Sequence, residues 1–260
     1  MKATLLLCCS VLFMTGMHAQ NVYPSDKRLE HSLLELPAVS NGEDIIVHEG
    51  FTVGYDSGTL LPDWVAYELT ESEVDGTVPR SDNFGMDPDY GFKRRQAMRE
   101  DYSRSGWDKG HMAPAADMKW SAKAMTESFY LTNICPQNHT LNEDSWLVLE
   151  KKARAVAKKY GRVWIICGPV ITDNRYGTIG EREVCIPDAF FKAFLVQDGG
   201  GYHSIAFLYA NEARHQTMKE TAMTVNQLEE LIGKDLYCNL SRGIQESVEE
   251  ELDFKIWSIR

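Results

Sequence analysis

Positive charge is scarce in this chain. It carries 27 lysines and arginines against 38 aspartates and glutamates, a formal net charge of −11. That balance argues against a protein that holds nucleic acid through its overall charge, although it leaves room for a local basic cleft. No Cys-x-x-Cys pair occurs, which argues against a structural zinc site. No internal repeat or low-complexity tract is visible, and no second long apolar run follows the one at the start. Zinc-finger and RNP-type aromatic motifs are missing, so no base-reading module is expected.

What the chain does have begins with a leader. Lys2 gives a positive start, Leu5 to Met14 is apolar but for Ser10, and Met17-His18-Ala19-Gln20 closes it with a small residue. The run is too short to span a bilayer. It reads as a cleaved secretory signal over 1–20 and predicts an exported chain, secreted or periplasmic, with no membrane attachment afterwards. Residues 21–43 read as an irregular arm, 44–240 as one domain, and 241–260 as an acidic, weakly patterned tail. Cys135, Cys167, Cys185 and Cys238 lie beyond the leader. Export would permit disulfides among them, and the apolar runs around Cys167 and Cys185 equally suit buried thiols.

Alternation rich in Ile and Val predicts a strand over 44–55, and W-V-A-Y-E-L-T predicts another over 64–70. Residues 71–91 read as loop. A short helix is expected from Ser121 to Ser128, a brief extended segment over 129–133, and turn chemistry over 133–139. Trp146, Leu149, Ala153, Val156, Ala157 and Tyr160 recur at helical spacing, so a long helix is expected from Asn142 to the terminator Gly161. Residues 162–171 form a nearly unbroken apolar run, the pattern of a fully buried strand. Strands over 190–197 and 204–210 flank the turn Asp198-Gly199-Gly200-Gly201, and a helix follows over 224–232 with Thr224 as N-cap. Strands and helices do not alternate regularly, so the class is α+β with a mainly antiparallel sheet.

The chemistry centres on Asp108-Lys109-Gly110-His111-Met112-Ala113-Pro114. Gly110 lets the backbone turn or approach closely, and Pro114 stops a regular element, so His111 is held in an irregular segment and aimed. Directly upstream the charge sign changes: Lys93, Arg94, Arg95, Arg99 and Arg104 cluster before Lys109, a solvated face or a phosphate-facing patch. On the long helix, Asn142, Glu150 and Arg154 offer an amide, a carboxylate and a guanidinium on one side. An ordinary i,i+4 Glu–Arg pair is the plainer account of the last two. His139, His48, His203 and His215 read as solvated or structural, Asp108 and Asp117 as supports of the key run, and Trp107, Trp120 and Trp146 as core.

The blocks D-K-G-H-M-A-P-A-A-D-M, F-Y-L-T-N-I-C-P-Q and N-E-D-S-W-L-V-L-E-K-K-A-R, in this order and spacing, resemble the DNA/RNA non-specific endonucleases. These are ββα-metal, or His-Me finger, nucleases. The resemblance spans about residues 45–235 and implies a ββα-metal fold whose mainly antiparallel central sheet is flanked by helices. It implies His111 as general base, Asn142 as the ligand of a catalytic Mg²⁺ (Mn²⁺ as substitute), and Asn133 as a supporting active-site asparagine. Glu150 would hold metal-bound water, Arg154 would lie near the scissile phosphate, and Arg80 of V-P-R would be a further phosphate-binding arginine. Lys109 departs from the family's frequent arginine, keeping the charge but losing the planar fork.

The residue types suit phosphodiester hydrolysis of DNA and RNA. A neutral imidazole accepts a proton, Mg²⁺ takes oxygen ligands and keeps several waters, and cations stabilise the charge that develops. Contacts to phosphate carry no base information, so the expected cleavage is sequence-non-specific, with 5′-phosphate products implied by the resemblance. Two other readings stand beside it: a phosphodiesterase acting on small nucleotides, and a non-catalytic nucleic-acid-binding relative.

Overall fold

A computed structural model describes residues 33–259; the expected leader, and residues 21–32 of the expected arm, lie outside the described residues. Strands β1 (Asp44–Val47), β2 (Thr52–Asp56) and β3 (Leu61–Thr70) form a meander that runs into a one-turn helix, α1 (Glu71–Val74). After a long loop come β4 (Asp108–His111), α2 (Ala122–Glu127), β5 (Ile134–Gln137) and α3 (Leu147–Tyr160). Strands β6 (Arg162–Val170), β7 (Thr178–Ile179), β8 (Val184–Cys185), β9 (Ala189–Asp198) and β10 (Gly201–Ala210) follow. Then come α4 (Met218–Thr221), β11 (Ala222–Met223), α5 (Val225–Ile232) and α6 (Arg242–Glu249).

Seven strands make one sheet in the order β1-β2-β3-β6-β9-β10-β11, with every neighbouring pair antiparallel. Both faces are covered. Along β6, Val163, Ile165 and Cys167 belong to the core that contains Leu149, Ala153 and Val156 of α3. Trp164 and Ile166, one position out of phase, belong to the opposite core with Val225 and Leu228 of α5. A period-two strand covered on both sides must be apolar throughout, which accounts for the unbroken run in the sequence. Burying each large apolar side chain is worth roughly 1.5–3 kcal/mol. The centre of this sheet is therefore the rigid base for whatever is attached to it.

Local differences from the sequence reading have physical causes. The strand expected over 44–55 is a hairpin, with Asp44 opposite Tyr55. Gly50 sits in its turn, so close to Met118 that a Cβ there would lie 2.5 Å from the sulfur. The adjoining Glu49 amide donates to Glu127 Oε2 at 2.7 Å. The loop expected after residue 70 opens with α1, which is held by a reciprocal Thr70–Glu73 capping box. Residues 131–133, expected to be extended, form a 3₁₀ turn, and the strand is β5, within the stretch expected to be a turn. The helix led by Asn142 starts as a π-helical segment, Leu141–Trp146, before α3, and ends at Gly161 in the left-handed conformation with φ of 82°. The stretch 241–259, expected to be weakly patterned, packs on the sheet: Ser204 Oγ on β10 donates to the Val248 carbonyl of α6 at 2.8 Å, and Trp257 is buried. All four cysteines are free thiols, three of them buried.

Candidate active site

Strand β4 pairs antiparallel with β5, Asp108 opposite Gln137 and His111 opposite Ile134, and the π/α3 helix follows directly. The pair is a separate two-stranded ribbon laid against the main sheet. Residues 108–114, expected to be irregular, open with a four-residue strand because β5 supplies the missing partner. Gly110 is required there. A Cβ would lie 2.3 Å from the Gln137 side-chain oxygen, so the ribbon closes only around a glycine.

The main chain at His111 is clamped from several sides. Trp146 Nε1 donates to the His111 carbonyl at 3.3 Å. The Met112 amide donates to the Asn133 carbonyl at 3.0 Å. Asn133, fully buried, accepts from the Ala113 amide at 2.9 Å and donates to the Ala113 and Ser128 carbonyls at 2.9 and 2.8 Å. Its amide is thus spent on the backbone just past the histidine, and it does not line the cleft described next. Trp146 is core and a backbone donor at once, while Trp107 and Trp120 pack partly buried against the same core.

A cleft of about 310 Å³ is lined by Arg80, Lys109, His111, Asn142, Glu143 and Glu150, with Pro114 to Ala116 and Leu147 as its apolar wall. The His111 ring lies between Phe84 and Phe129, with centroids 5.4 and 5.0 Å away. Burial in that aromatic slot pushes the imidazole down to about 3, and the positive charge of Arg80 adds to the effect. The ring is therefore neutral at physiological pH. Its Nε2 is buried with no hydrogen-bond partner among the described residues. Burial pushes the Glu150 carboxyl up to about 7; Asp117 adds to the rise, and Lys192, Arg154 and Arg80 oppose it. Asn142 Nδ2 donates to Asp108 Oδ2 at 3.0 Å, so the amide oxygen is the end left to accept or ligate. The same Asp108 oxygen meets His139 Nδ1 at 2.9 Å, and His139 Nε2 lies 3.5 Å from Glu143. Arg80 reaches over the Phe129 ring at 5.0 Å and pairs with Asp82 at 2.5 Å. Lys109 Nζ lies 5.3 Å from the centroid of Phe84.

Five of the residues singled out from sequence therefore meet in one cleft: Arg80, Lys109, His111, Asn142 and Glu150. Arg154 does not line it. Its guanidinium donates to the buried carboxylate of Asp117 at 2.7 Å, and Asp117 also accepts from Tyr67 at 3.0 Å. The i,i+4 partner expected for Arg154, Glu150, is an electrostatic neighbour instead of a bonded one. The upstream basic cluster divides. Arg94 pairs with Asp44 at 2.9 Å, and Arg95 donates to the carbonyls of Ser57, Gly58 and Arg182, so both are fold contacts. Lys93, Arg99 and Arg104 are exposed and line no part of the cleft. The other histidines pair with acids: His48 with Asp87, His203 with Glu251, and His215 with Asp144.

Two supports were missed in the sequence. Asn211, fully buried, accepts from the Asn138 amide at 2.7 Å and donates to the Pro136 and Pro187 carbonyls, fixing the loop that leads to Asn142. Lys192, fully buried in β9, donates to the Met112 carbonyl at 3.3 Å. A single lysine inside the run Phe190-Phe191-Lys192-Ala193-Phe194 was the available signal for the second; nothing local marks the first.

Residues 35–243 match the family model described as DNA/RNA non-specific endonuclease. The chain is 34% identical over 206 residues to "Nuclease EXOG, mitochondrial" of Xenopus laevis, covering 73% of this chain and 57% of that protein. It is 33% identical over 162 residues to "Endonuclease G, mitochondrial" of Homo sapiens, covering 59% and 54%. The chain thus spans a little over half the length of these curated relatives. The solved EndoG/EndoGI complex, described as showing the mechanism of EndoG inhibition, aligns with a TM-score of 0.75 at 25% identity. That match covers 85% of this chain and 96% of the solved one. The comparisons overturn the exported location expected from residues 1–20, because the relatives are named as mitochondrial nucleases. Residues 1–20 contain no acidic residue, a trait shared by targeting segments with different destinations, so that stretch alone does not fix the location. On the family match and the ββα arrangement of β4, β5 and α3, the chain belongs to the DNA/RNA non-specific endonuclease family.

Proposed function

We propose that this protein is a divalent-metal-dependent endonuclease that hydrolyses phosphodiester bonds in DNA and RNA without regard to sequence. The observation that carries the reading is the shared cleft, in which a neutral imidazole, an amide, two carboxyl groups and two cationic side chains line one volume of about 310 Å³. The donor set fits a hard cation. Asn142 and Glu150 offer oxygen, as Mg²⁺ and Mn²⁺ prefer, and no thiol lines the cleft. Asn142 would hold the ion directly, with Glu150 acting through water. When bound, such an ion neutralises charge on the phosphate and on the departing 3′-oxygen.

The remaining chemistry belongs to the chain. His111 is neutral because its ring is buried between Phe84 and Phe129, so an imidazole nitrogen would be able to take a proton from the attacking water. Its orientation is set by the clamp on its backbone and the two phenyl rings, which leaves little motion to lose at the moment of reaction. Arg80 and Lys109 lie at the cleft wall and would meet phosphate oxygens. Lysine at 109 acts there as a point charge without a bidentate grip. Arg154 would contribute at longer range, through the Asp117 pair and its field at Glu150. None of these contacts reads a base, which supports non-specific cleavage; departure of the 3′-oxygen would leave the phosphate on the 5′ end.

The test is a substrate panel with Mg²⁺: supercoiled plasmid, single-stranded DNA, RNA, and small nucleotide phosphodiesters. Nicking of the plasmid, loss of RNA and religation of the product by DNA ligase are expected. Hydrolysis confined to the small diesters would replace this reading with the phosphodiesterase one, and binding without cleavage would replace it with the non-catalytic one.

A further inference from the structure

Lysine is costly to bury, because an ammonium loses its water and must find replacements in the fold. Lys192 is nevertheless fully buried, in the middle of the central sheet. Its contacts all lead to the cleft. Nζ lies 3.3 Å from the carbonyl of Met112, the residue after His111. The Cys167 thiol donates to the same carbonyl at 3.3 Å. Nζ also lies 4.5 Å from the ring centroid of Trp146, the indole whose Nε1 donates to the His111 carbonyl. Lys192 thus reaches the chain around His111 at two points: the Met112 carbonyl directly, and the His111 carbonyl through the indole that donates to it. After burial itself, its charge is the strongest influence on Glu150, and it also acts on Asp117. It does not line the cleft, so it has no access to substrate.

We propose that Lys192 is a positioning residue for the cleft: from inside the sheet it holds the His111 backbone in register with Asn142 and Glu150. The inference rests on the nuclease reading for its kinetic consequence, but not for its structural one. A side chain that never meets substrate changes the chemical step and leaves substrate binding alone. A displacement of the base by about an ångström costs on the order of 100-fold in rate. Lys192→Met is therefore expected to lower kcat by about 10- to 100-fold with KM within about twofold of wild type. Lys192→Arg, which keeps a charge and a donor, is expected to recover most of the loss.

The experiment measures kcat and KM on a fluorogenic duplex for wild type and both variants. In parallel, imidazole ¹H–¹³C spectra are recorded on metal-free protein labelled at histidine. The His111 resonance is expected to move or broaden in Lys192→Met and to return towards its wild-type position in Lys192→Arg. Wild-type kcat in Lys192→Met, a loss carried equally by KM, or an unmoved His111 resonance overturns the proposal. If Lys192→Met does not fold, Lys192→Gln replaces it with the same expectations. Failure of all the variants to fold assigns Lys192 to stability alone, which also overturns the proposal. An inactive wild type would defeat the nuclease reading, while the spectra would still decide the role of Lys192.

Discussion

Glu150→Gln should make the metal-free protein more stable and the enzyme inactive. The Glu150 carboxyl is nearly buried, and burial raises it from 4.5 to about 7. A carboxylate with a raised value binds its proton more tightly in the folded state than in the unfolded one. The stability associated with that proton is present below the unfolded value and is lost as pH rises through about 7. At about 1.4 kcal/mol per tenfold change in affinity, burying this carboxyl lowers stability by about 1 kcal/mol at pH 5 and about 3 kcal/mol at pH 8, relative to a group protonated in both states. A glutamine is neutral at both and nearly isosteric. Urea unfolding in EDTA, for wild type and variant at both pH values, should show the variant's advantage growing by about 2 kcal/mol between them. Activity in Mg²⁺ should fall in the variant at all pH values. An advantage that does not change with pH, or a variant less stable at pH 8, would refute the claim that this carboxylate is held at a cost to the fold. A buried carboxylate held at such a cost suits a site for a cation, and its loss is the familiar exchange of function for stability.

Other outcomes follow from the same geometry. Cation affinity measured by calorimetry should weaken as pH falls below about 7, because Glu150 must release its proton to act as an acceptor; a flat profile would remove it from the site. Asn133→Ala should cost about 1–3 kcal/mol in thermal or urea unfolding, since it strands buried backbone groups at Ala113 and Ser128, and should lower kcat with it. Arg95→Ala should lower the melting temperature and leave kcat/KM near wild type, because its guanidinium holds three carbonyls far from the cleft wall. Raising salt should weaken substrate binding by counterion release, with a shallow slope set by the few cations at the cleft.

The fold was legible where tertiary structure only repeats what the local pattern says. The buried strand β6, the helix ended by Gly161 and the helix capped by Thr224 follow from periodicity and capping residues. The ribbon of β4 and β5 was not legible, because each strand is short and becomes a strand only by pairing with the other across 22 or more intervening residues. The site divides along the same line. His111, Asn142 and Glu150 stand in blocks whose order and spacing resemble a known family, and the cleft gathers them. Arg154 fell outside it because helical spacing tells which side of a helix a residue occupies, not which buried acid lies opposite. Asp117, close to Tyr67 of the central sheet, claims that guanidinium. Arg94 and Arg95 of the upstream cluster are taken up by the fold for a related reason. Their charge was visible, but the carbonyls of Ser57, Gly58 and Arg182 that occupy Arg95 come from distant parts of the chain.

The central claim is that the imidazole of His111 and a cation held at Asn142 act on one phosphodiester. Plasmid nicking at pH 7.5 tests it most directly, comparing wild type in Mg²⁺, wild type in EDTA and His111→Ala in Mg²⁺. The account predicts nicking in the first alone, with the alanine variant folded and slower by about 10²–10⁴-fold. Nicking that persists in EDTA, or proceeds at the wild-type rate without the imidazole, would contradict it.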